Sequence, residues 1–243
     1  MAVAQKIYCR VEKILHHGNS VYTLFLRPQK LLPRFRPGQF LHLALDEYDP
    51  SGFWPESRVF SIASSPTERD KLTISYSVRG RFTARMETEI AEGRQVWIKL
   101  PYGDFVVENK RDVVLLAGGT GITAFTAFIG GLTPEFDHSV YLAYGARNVN
   151  LHTYRDLLER QAEKVPSLHL FYFAENGCSP ASNSQEDRLT IGCLSVSAFW
   201  PRLKDPFAAV YYISGPPAML KGISQDLISR GVKSESVRID AWE

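Results

Sequence analysis

Five consecutive apolar residues, Val113-Val114-Leu115-Leu116-Ala117, run straight into Gly118-Gly119-Thr120-Gly121-Ile122-Thr123. A strand that is apolar at every position has to be buried on both faces, which is the condition of a parallel sheet between helices. A glycine turn at its carboxyl end, opening a helix, brings free backbone N–H groups and the positive end of a helix dipole to the place where open α/β sheets bind ligands. Gly119-x-Gly121-x-x-Ala124 fits the dinucleotide fingerprint, and a plain strand-to-helix turn would use the same glycines. The usual dinucleotide fold also wants a carboxylate about 20 residues further on to hold the ribose. Here the second strand ends Tyr144-Gly145-Ala146-Arg147 and carries none. Arg147 could meet an adenosine ribose or its phosphate, or be a solvated loop arginine.

Strand and helix patterns alternate on both sides of that loop. Val140 to Tyr144, Leu168 to Phe173, Ala208 to Ile213 and Val237 to Ile239 read as strands. Helical spacing marks the stretch to about Ile129, the positions around Tyr154, Leu157, Leu158 and Gln161, and Met219, Leu220, Ile223 and Leu227. This alternation predicts a parallel sheet with helices on both faces. Ser214-Gly215-Pro216-Pro217 lies at the carboxyl end of a strand, at a sheet edge shared with the glycine loop, where it can bound the same pocket or merely connect strand to helix; Pro216-Pro217 stops the strand and presets the first helical turn. Glu175 to Asp187, rich in Ser, Asn, Gly and Pro, reads as an exposed loop.

The first hundred residues have a different rhythm. Ile7, Cys9 and Val11 alternate with polar neighbours, as do Leu72, Ile74, Tyr76 and Val78; Val21 to Leu26 is rich in β-formers, and Pro37-Gly38 is a turn signal before Gln39 to Leu43. With one short helix at about Thr83 to Ala91, this predicts an antiparallel barrel or sandwich. The polar run Glu108 to Asp112 is the linker, so the expected domains are residues 1–108 and 109–243.

Composition removes several classes of function. With 28 basic and 26 acidic residues the formal net charge is +2, which gives no bulk attraction for nucleic acid. No stretch approaches the roughly 18 apolar residues of a membrane span, and the first ten residues have no apolar core of a secretory signal. Three cysteines, Cys9, Cys178 and Cys193, have no CxxC spacing and are too few to hold an iron–sulfur cluster. The reading is a protein of a reducing, cytoplasmic compartment. The six histidines are scattered; none pairs at metal-ligand spacing except His16-His17, which alternate across a strand, and they read as surface residues with no metal site.

Arg58-Val59-Phe60-Ser61-Ile62-Ala63-Ser64-Ser65 carries an arginine, a ring and several hydroxyls on one strand. A guanidinium fork matches two pyrophosphate oxygens, a ring such as Phe60 can stack on a flat heterocycle, and Ser61 could hydrogen-bond a ring nitrogen. An ordinary barrel strand with an exposed arginine would look the same.

Taken in order, these segments resemble the ferredoxin–NADP reductase superfamily, in its bacterial stand-alone or reductase-subunit branch, over nearly the full length. Pro37-Gly38-Gln39-Phe40, Arg58 to Ser64, Gly80-Arg81-Phe82-Thr83, Pro101-Tyr102-Gly103-Asp104-Phe105, Gly118 to Thr123, and Tyr144 to Arg147 followed by Tyr154 to Leu157 are similar to successive family motifs, with Leu100 where the family has glycine. The resemblance implies FAD in the barrel and NADH or NADPH in the α/β domain. It implies that Arg58 binds the pyrophosphate, Phe60 flanks the isoalloxazine, and Ser61 lies near its reactive nitrogen, with Val59, Ser64, Val78, Arg79, Gly80, Phe82 and Thr83 completing the flavin site. It implies a nucleotide site of Gly118, Gly119, Thr120, Gly121, Ile122, Thr123, Tyr144, Gly145, Arg147, Gly215 and Pro216.

The chain departs from the family at two places. Ser214 stands where the family usually has a cysteine beside the nicotinamide. The family's closing Glu-x-Phe/Trp becomes Asp240-Ala241-Trp242, an acid one methylene shorter, with Trp242 either on the flavin face or packed on the sheet edge. The expected function is an NAD(P)H-dependent flavoprotein reductase that passes electrons to a separate acceptor protein or small acceptor, with Ser61, Ser214, Asp240 and Trp242 at the crossing. The alternative is a catalytically weak flavin- and nucleotide-binding subunit that serves as a docking or regulatory module. NADH is slightly favoured over NADPH.

Overall fold

The computed structural model describes residues 3–108, 110–176 and 188–241. Trp242, Cys178 and most of the expected exposed loop, residues 177–187, lie outside the described residues. The chain divides into two units, Met1–Val106 with Thr123–Phe128, and Val107–Ile122 with Ile129–Glu243.

Period-two patterning in the first unit builds a six-stranded antiparallel sheet from β1 (Gln5–His16), β2 (Val21–Pro28), β3 (Phe40–Ala44), β4 (Ser57–Ser61), β5 (Leu72–Ser77) and β6 (Gln95–Tyr102), in the order β4-β3-β6-β1-β2-β5. The sheet curls until its two edges nearly meet: the Ala63 N–H donates to the Thr73 carbonyl at 2.9 Å, and Ser64 Oγ accepts from the Thr73 N–H at 3.2 Å. The inward residues, among them Leu24, Leu41, Leu43, Ile74, Val96 and Ile98, are completely buried. Burying each side chain of that size contributes about 1.5–3 kcal/mol. Helix α1 (Arg81–Glu89) joins the same core through Phe82 and Met86. It starts two residues earlier than the sequence pattern indicates, because Gly80 is its N-cap and Arg81 and Phe82 form its first turn.

The second unit is a six-stranded, wholly parallel sheet of β7 (Val113–Gly118), β8 (Val140–Ala146), β9 (Leu168–Ala174), β10 (Leu189–Ile191), β11 (Val210–Ser214) and β12 (Val237–Asp240). Its order is β10-β9-β8-β7-β11-β12. The chain winds outward from β7 through β10 and then returns to β7's other side with β11, so β7 and β11 form the topological switch point, where such sheets open a ligand crevice. The Ser214-Gly215-Pro216-Pro217 motif is therefore inside the sheet, and β12 forms the edge. Alternation along each strand splits the core. Val114, Leu116, Phe173, Tyr211 and Ile213 meet α4 (Val196–Phe199) and α5 (Pro217–Ser229), through Val196, Phe199, Ile223 and Leu227. On the opposite face, the Arg155 guanidinium of α3 (Arg155–Lys164) lies 5.1 Å from the centre of the Tyr172 ring. A short 3-10 turn, Gly119–Ile122, precedes α2 (Thr123–Ile129), of which Thr123–Phe128 is counted with the first unit. Among the described residues, no helix is long and apolar enough to cross a membrane.

Candidate functional site

In the first unit the candidate residues gather around the end of β4 and the amino end of α1. Arg58 is exposed; its Nη1 donates to the Ser57 carbonyl at 2.8 Å, and its guanidinium carbon lies 5.2 Å from the centre of the Phe82 ring. Phe82 is buried beneath it. Phe60 is half-buried, edge-on to Tyr76 with ring centres 6.2 Å apart. Val59 and Ser61 are half-buried, and Ser61 pairs with Phe40 across the sheet. Ser64 is committed to barrel closure. The Val78 N–H donates to the Ser20 carbonyl at 2.9 Å. Thr83 Oγ1 accepts from the N–H groups of Arg79 and Gly80 at 2.9 and 3.1 Å and lies 3.1 Å from the Gly80 carbonyl, to which its hydroxyl donates. Its first task is to shape the turn into α1. That helix end has no acidic residue in its first turn, and its N-cap Gly80 has no side chain to accept from the first-turn N–H groups.

The turn Pro37-Gly38-Gln39 fixes where β4 ends. Gln39 Nε2 donates to the Gly103 carbonyl at 3.0 Å, Gln39 Oε1 accepts from the Arg36 N–H at 2.9 Å, and the Gln39 carbonyl accepts from the Ile62 N–H at 3.0 Å. One side chain and one carbonyl thus tie three segments of the barrel to the residue following Ser61.

In the second unit the glycines of β7 and β11 pack on one another. A Cβ on Gly118 would sit 2.5 Å from Met219 Sδ and 2.9 Å from Pro216 Cδ; one on Gly215 would sit 3.1 Å from the Gly118 backbone; one on Gly121 would sit 2.3 Å from the Ser214 carbonyl oxygen. Backbone packing requires glycine at Gly121, while Gly118 and Gly215 are closely packed against Met219, Pro216 and each other. Gly119 differs: its φ is +54° and nothing lies within 4 Å of its missing Cβ, so it is the position with an open face for a ligand. Thr120 is half-buried beside it, whereas Ile122 and Thr123 are buried. Tyr144 is completely buried, with its hydroxyl 3.3 Å from the Leu151 carbonyl; Gly145 is half-buried and Arg147 exposed.

Ser214 and Asp240, register partners at the ends of β11 and β12, are each 3% exposed, and Ser214 Oγ donates to Asp240 Oδ2 at 2.8 Å. The hydroxyl proton is spent on the carboxylate. What Ser214 has left to offer a neighbour is oxygen lone pairs.

Two features escape a reading by pattern. Glu56 stands two residues before Arg58, on the same face of an extended chain, and pairs with it; that spacing was the available signal. His152 is buried, against the surface reading of the histidines. Its Nδ1 is 3.1 Å from the Val149 carbonyl, its Nε2 is 3.2 Å from those of Tyr144 and Phe173, and its ring is edge-on to Tyr144 and Tyr172. It ties the carboxyl ends of β8 and β9 to the following turn. His17 is half-buried, with Nε2 2.9 Å from Thr23 Oγ1.

Burial lowers the pKa of His17, His42, His152 and His169 from the ordinary value near 6.5. The folded chain therefore binds fewer protons than the unfolded chain once pH falls below that value, and stability falls with it. Urea midpoints should be lower at pH 5.5 than at 7.5, a window above most carboxylate titrations. An equal or higher midpoint at pH 5.5 would contradict the burial argument. Among the described residues, no group of three or more His, Cys, Asp and Glu is placed to hold a metal ion.

Residues 115–225 match the model of the oxidoreductase NAD-binding domain. The chain is 25% identical over 244 residues to a flavohemoprotein of Rhodopirellula baltica, covering 95% of this chain and 59% of that protein. It is 29% identical over 174 residues to an NAD(P)H-flavin reductase of Vibrio harveyi, covering 67% and 70%. The chain thus spans between about half and three-fifths of the flavohemoproteins it matches. A crystal structure of a ferredoxin NADP+ reductase from Neisseria gonorrhoeae, with bound FAD and NADP, shares the fold at a TM-score of 0.76 and 19% identity, covering 99% of each chain.

Proposed function

We propose that the chain is a member of the ferredoxin–NADP reductase superfamily, supported by the matched NAD-binding domain and the shared fold, and that it is an NAD(P)H-dependent flavoprotein reductase that takes a hydride from the nucleotide onto FAD and passes electrons to a separate acceptor. In this reading residues 1–108 are the flavin domain, residues 109–243 the nucleotide domain, and the protein works in the cytoplasm. The observation that carries it is the open Gly119 backbone beside the β7–β11 switch point, within a matched NAD-binding domain.

The residues present fit both groups. Arg58 and the uncapped amino end of α1 offer a guanidinium fork and a helix dipole to the flavin pyrophosphate, with Arg79, Gly80 and Thr83 shaping that turn and Phe82 beneath it. Phe60 offers a ring face to the isoalloxazine, and Val59, Ser61, Ser64 and Val78 set the strand ends around it. Gly119 and Thr120 offer backbone N–H groups to the nucleotide phosphates, between Gly118, Gly121, Gly215 and Pro216, with Gly145 and Arg147 towards the adenosine. Bound FAD would supply a two-electron acceptor able to release its electrons singly. The chain's part is to bind and orient each reactant and keep water from it.

Asp240 holds the Ser214 hydroxyl in one orientation, so Ser214 can orient a carboxamide N–H only through its lone pairs. This favours a second reading of the same site, a binding subunit with slow hydride transfer. The test is the visible spectrum of the purified protein, followed anaerobically as NADH and then NADPH is added. We expect a flavin spectrum bleached by at least one nucleotide, with NADH slightly preferred. No flavin, or a flavin that neither nucleotide reduces, would sink the reductase reading. Ser214→Cys separates the two readings: a large gain in reduction rate favours the weak subunit, and little change favours the competent reductase.

A further inference from the structure

Three guanidinium groups of the first unit converge on one carboxylate. Arg58 Nη2 is 3.2 Å from Glu56 Oε1, Arg81 Nη2 is 3.5 Å from Glu56 Oε2, and Arg85 Nη1 is 3.9 Å from that same oxygen. Arg85 is also held by Asp46 and Glu89, at 2.7 Å each, and so belongs to the framework of α1. Arg58 and Arg81 are freer: their side chains are 53% and 83% exposed, and both turn towards Glu56 at the helix's uncapped amino end.

We propose that Glu56 is an internal counter-anion that occupies Arg58 and Arg81 in place of a ligand phosphate and so weakens the hold of this site on phosphate. The inference rests on the flavin reading for the identity of the ligand, but its physics needs only a phosphate. Ion pairs as exposed as these are weak, so a diphosphate can take the arginines from Glu56. It cannot remove the charge, and the displaced carboxylate remains a few ångströms from the incoming anion and repels it. The opposite role, in which Glu56 fixes the arginines in a phosphate-ready pose, predicts an effect of opposite sign.

Glu56→Gln keeps the size and the acceptor oxygen and removes the charge. Inorganic pyrophosphate, titrated calorimetrically into the flavin-free full chain, should bind about threefold to tenfold more tightly to the variant in low salt, and the gap should close at high salt, as screening requires. FAD release should be slower by a similar factor. Equal or weaker pyrophosphate binding by the variant overturns the proposal, as does undetectable binding by both forms. If pyrophosphate binding tightens but neither form holds FAD, the counter-anion stands and the flavin reading fails. If FAD is held and reduced while Glu56→Gln changes neither measurement, the flavin reading stands and the counter-anion fails. Glu56→Ala, run in parallel, should match the glutamine variant in sign.

Discussion

Gly121→Ala should destabilise the chain by about 3 kcal/mol or more and remove nucleotide binding. The new methyl would sit 2.3 Å from the Ser214 carbonyl oxygen, 2.6 Å from its carbon and 2.8 Å from the Gly215 nitrogen. All three are backbone atoms of the strand end and cannot rotate away, so β11 and the 3-10 turn have to separate. Ser214 would move with them, and with it the hydrogen bond to Asp240. Gly119→Ala is the control. Its φ of +54° costs an alanine about 1–2 kcal/mol, but its surroundings are open, so stability should fall less while any ligand approaching that face is still obstructed. Urea unfolding of the two variants and NADH titration measure both effects. A Gly121→Ala chain within about 1 kcal/mol of the parent would mean that this contact is absent in solution.

Gly38→Ala should cost more still, about 4 kcal/mol, because two independent penalties fall on one atom. The residue has φ +93°, a region that L side chains rarely adopt, and its Cβ would lie 2.1 Å from the Phe105 carbonyl oxygen. The turn cannot lift away without breaking the bonds from Gln39 to Gly103 and from Ile62 to Gln39, and the latter sets the end of β4 where Phe60 and Ser61 stand. The expected result is a fall in Tm of at least about 8 °C, given roughly 2–4 °C per kcal/mol at this chain length, with loss of bound flavin in proportion. A variant that keeps both its Tm and its flavin would show that Gln39 does not fix this strand end.

Much of the fold is legible in the residues because its signals are local. The period-two run Leu72, Ile74, Tyr76 is β5, the apolar run Val113–Ala117 is β7, and Pro217 opens α5. These follow from strand geometry and proline chemistry, which act between near neighbours. The start of α1 is read two residues late because Gly80, without a side chain, gives no capping signal. The candidate site is less legible. Gly118, Gly119 and Gly121 look equivalent as letters, and the fold makes the first and third internal spacers and leaves the second open.

The sequence by itself determined the two rhythms, the glycine loop after a buried strand, and the strand that carries Arg58, since each is a matter of local period and residue chemistry. The tertiary structure decided what depends on neighbours remote in the chain. It placed β11 beside β7, which gives each glycine its partner. It buried His152 among three carbonyls, joined Ser214 to Asp240, and turned Arg81 onto Glu56. The physical reason is strand order. Which strand ends meet is fixed by the packing of whole sheets, and no window of adjacent residues contains it.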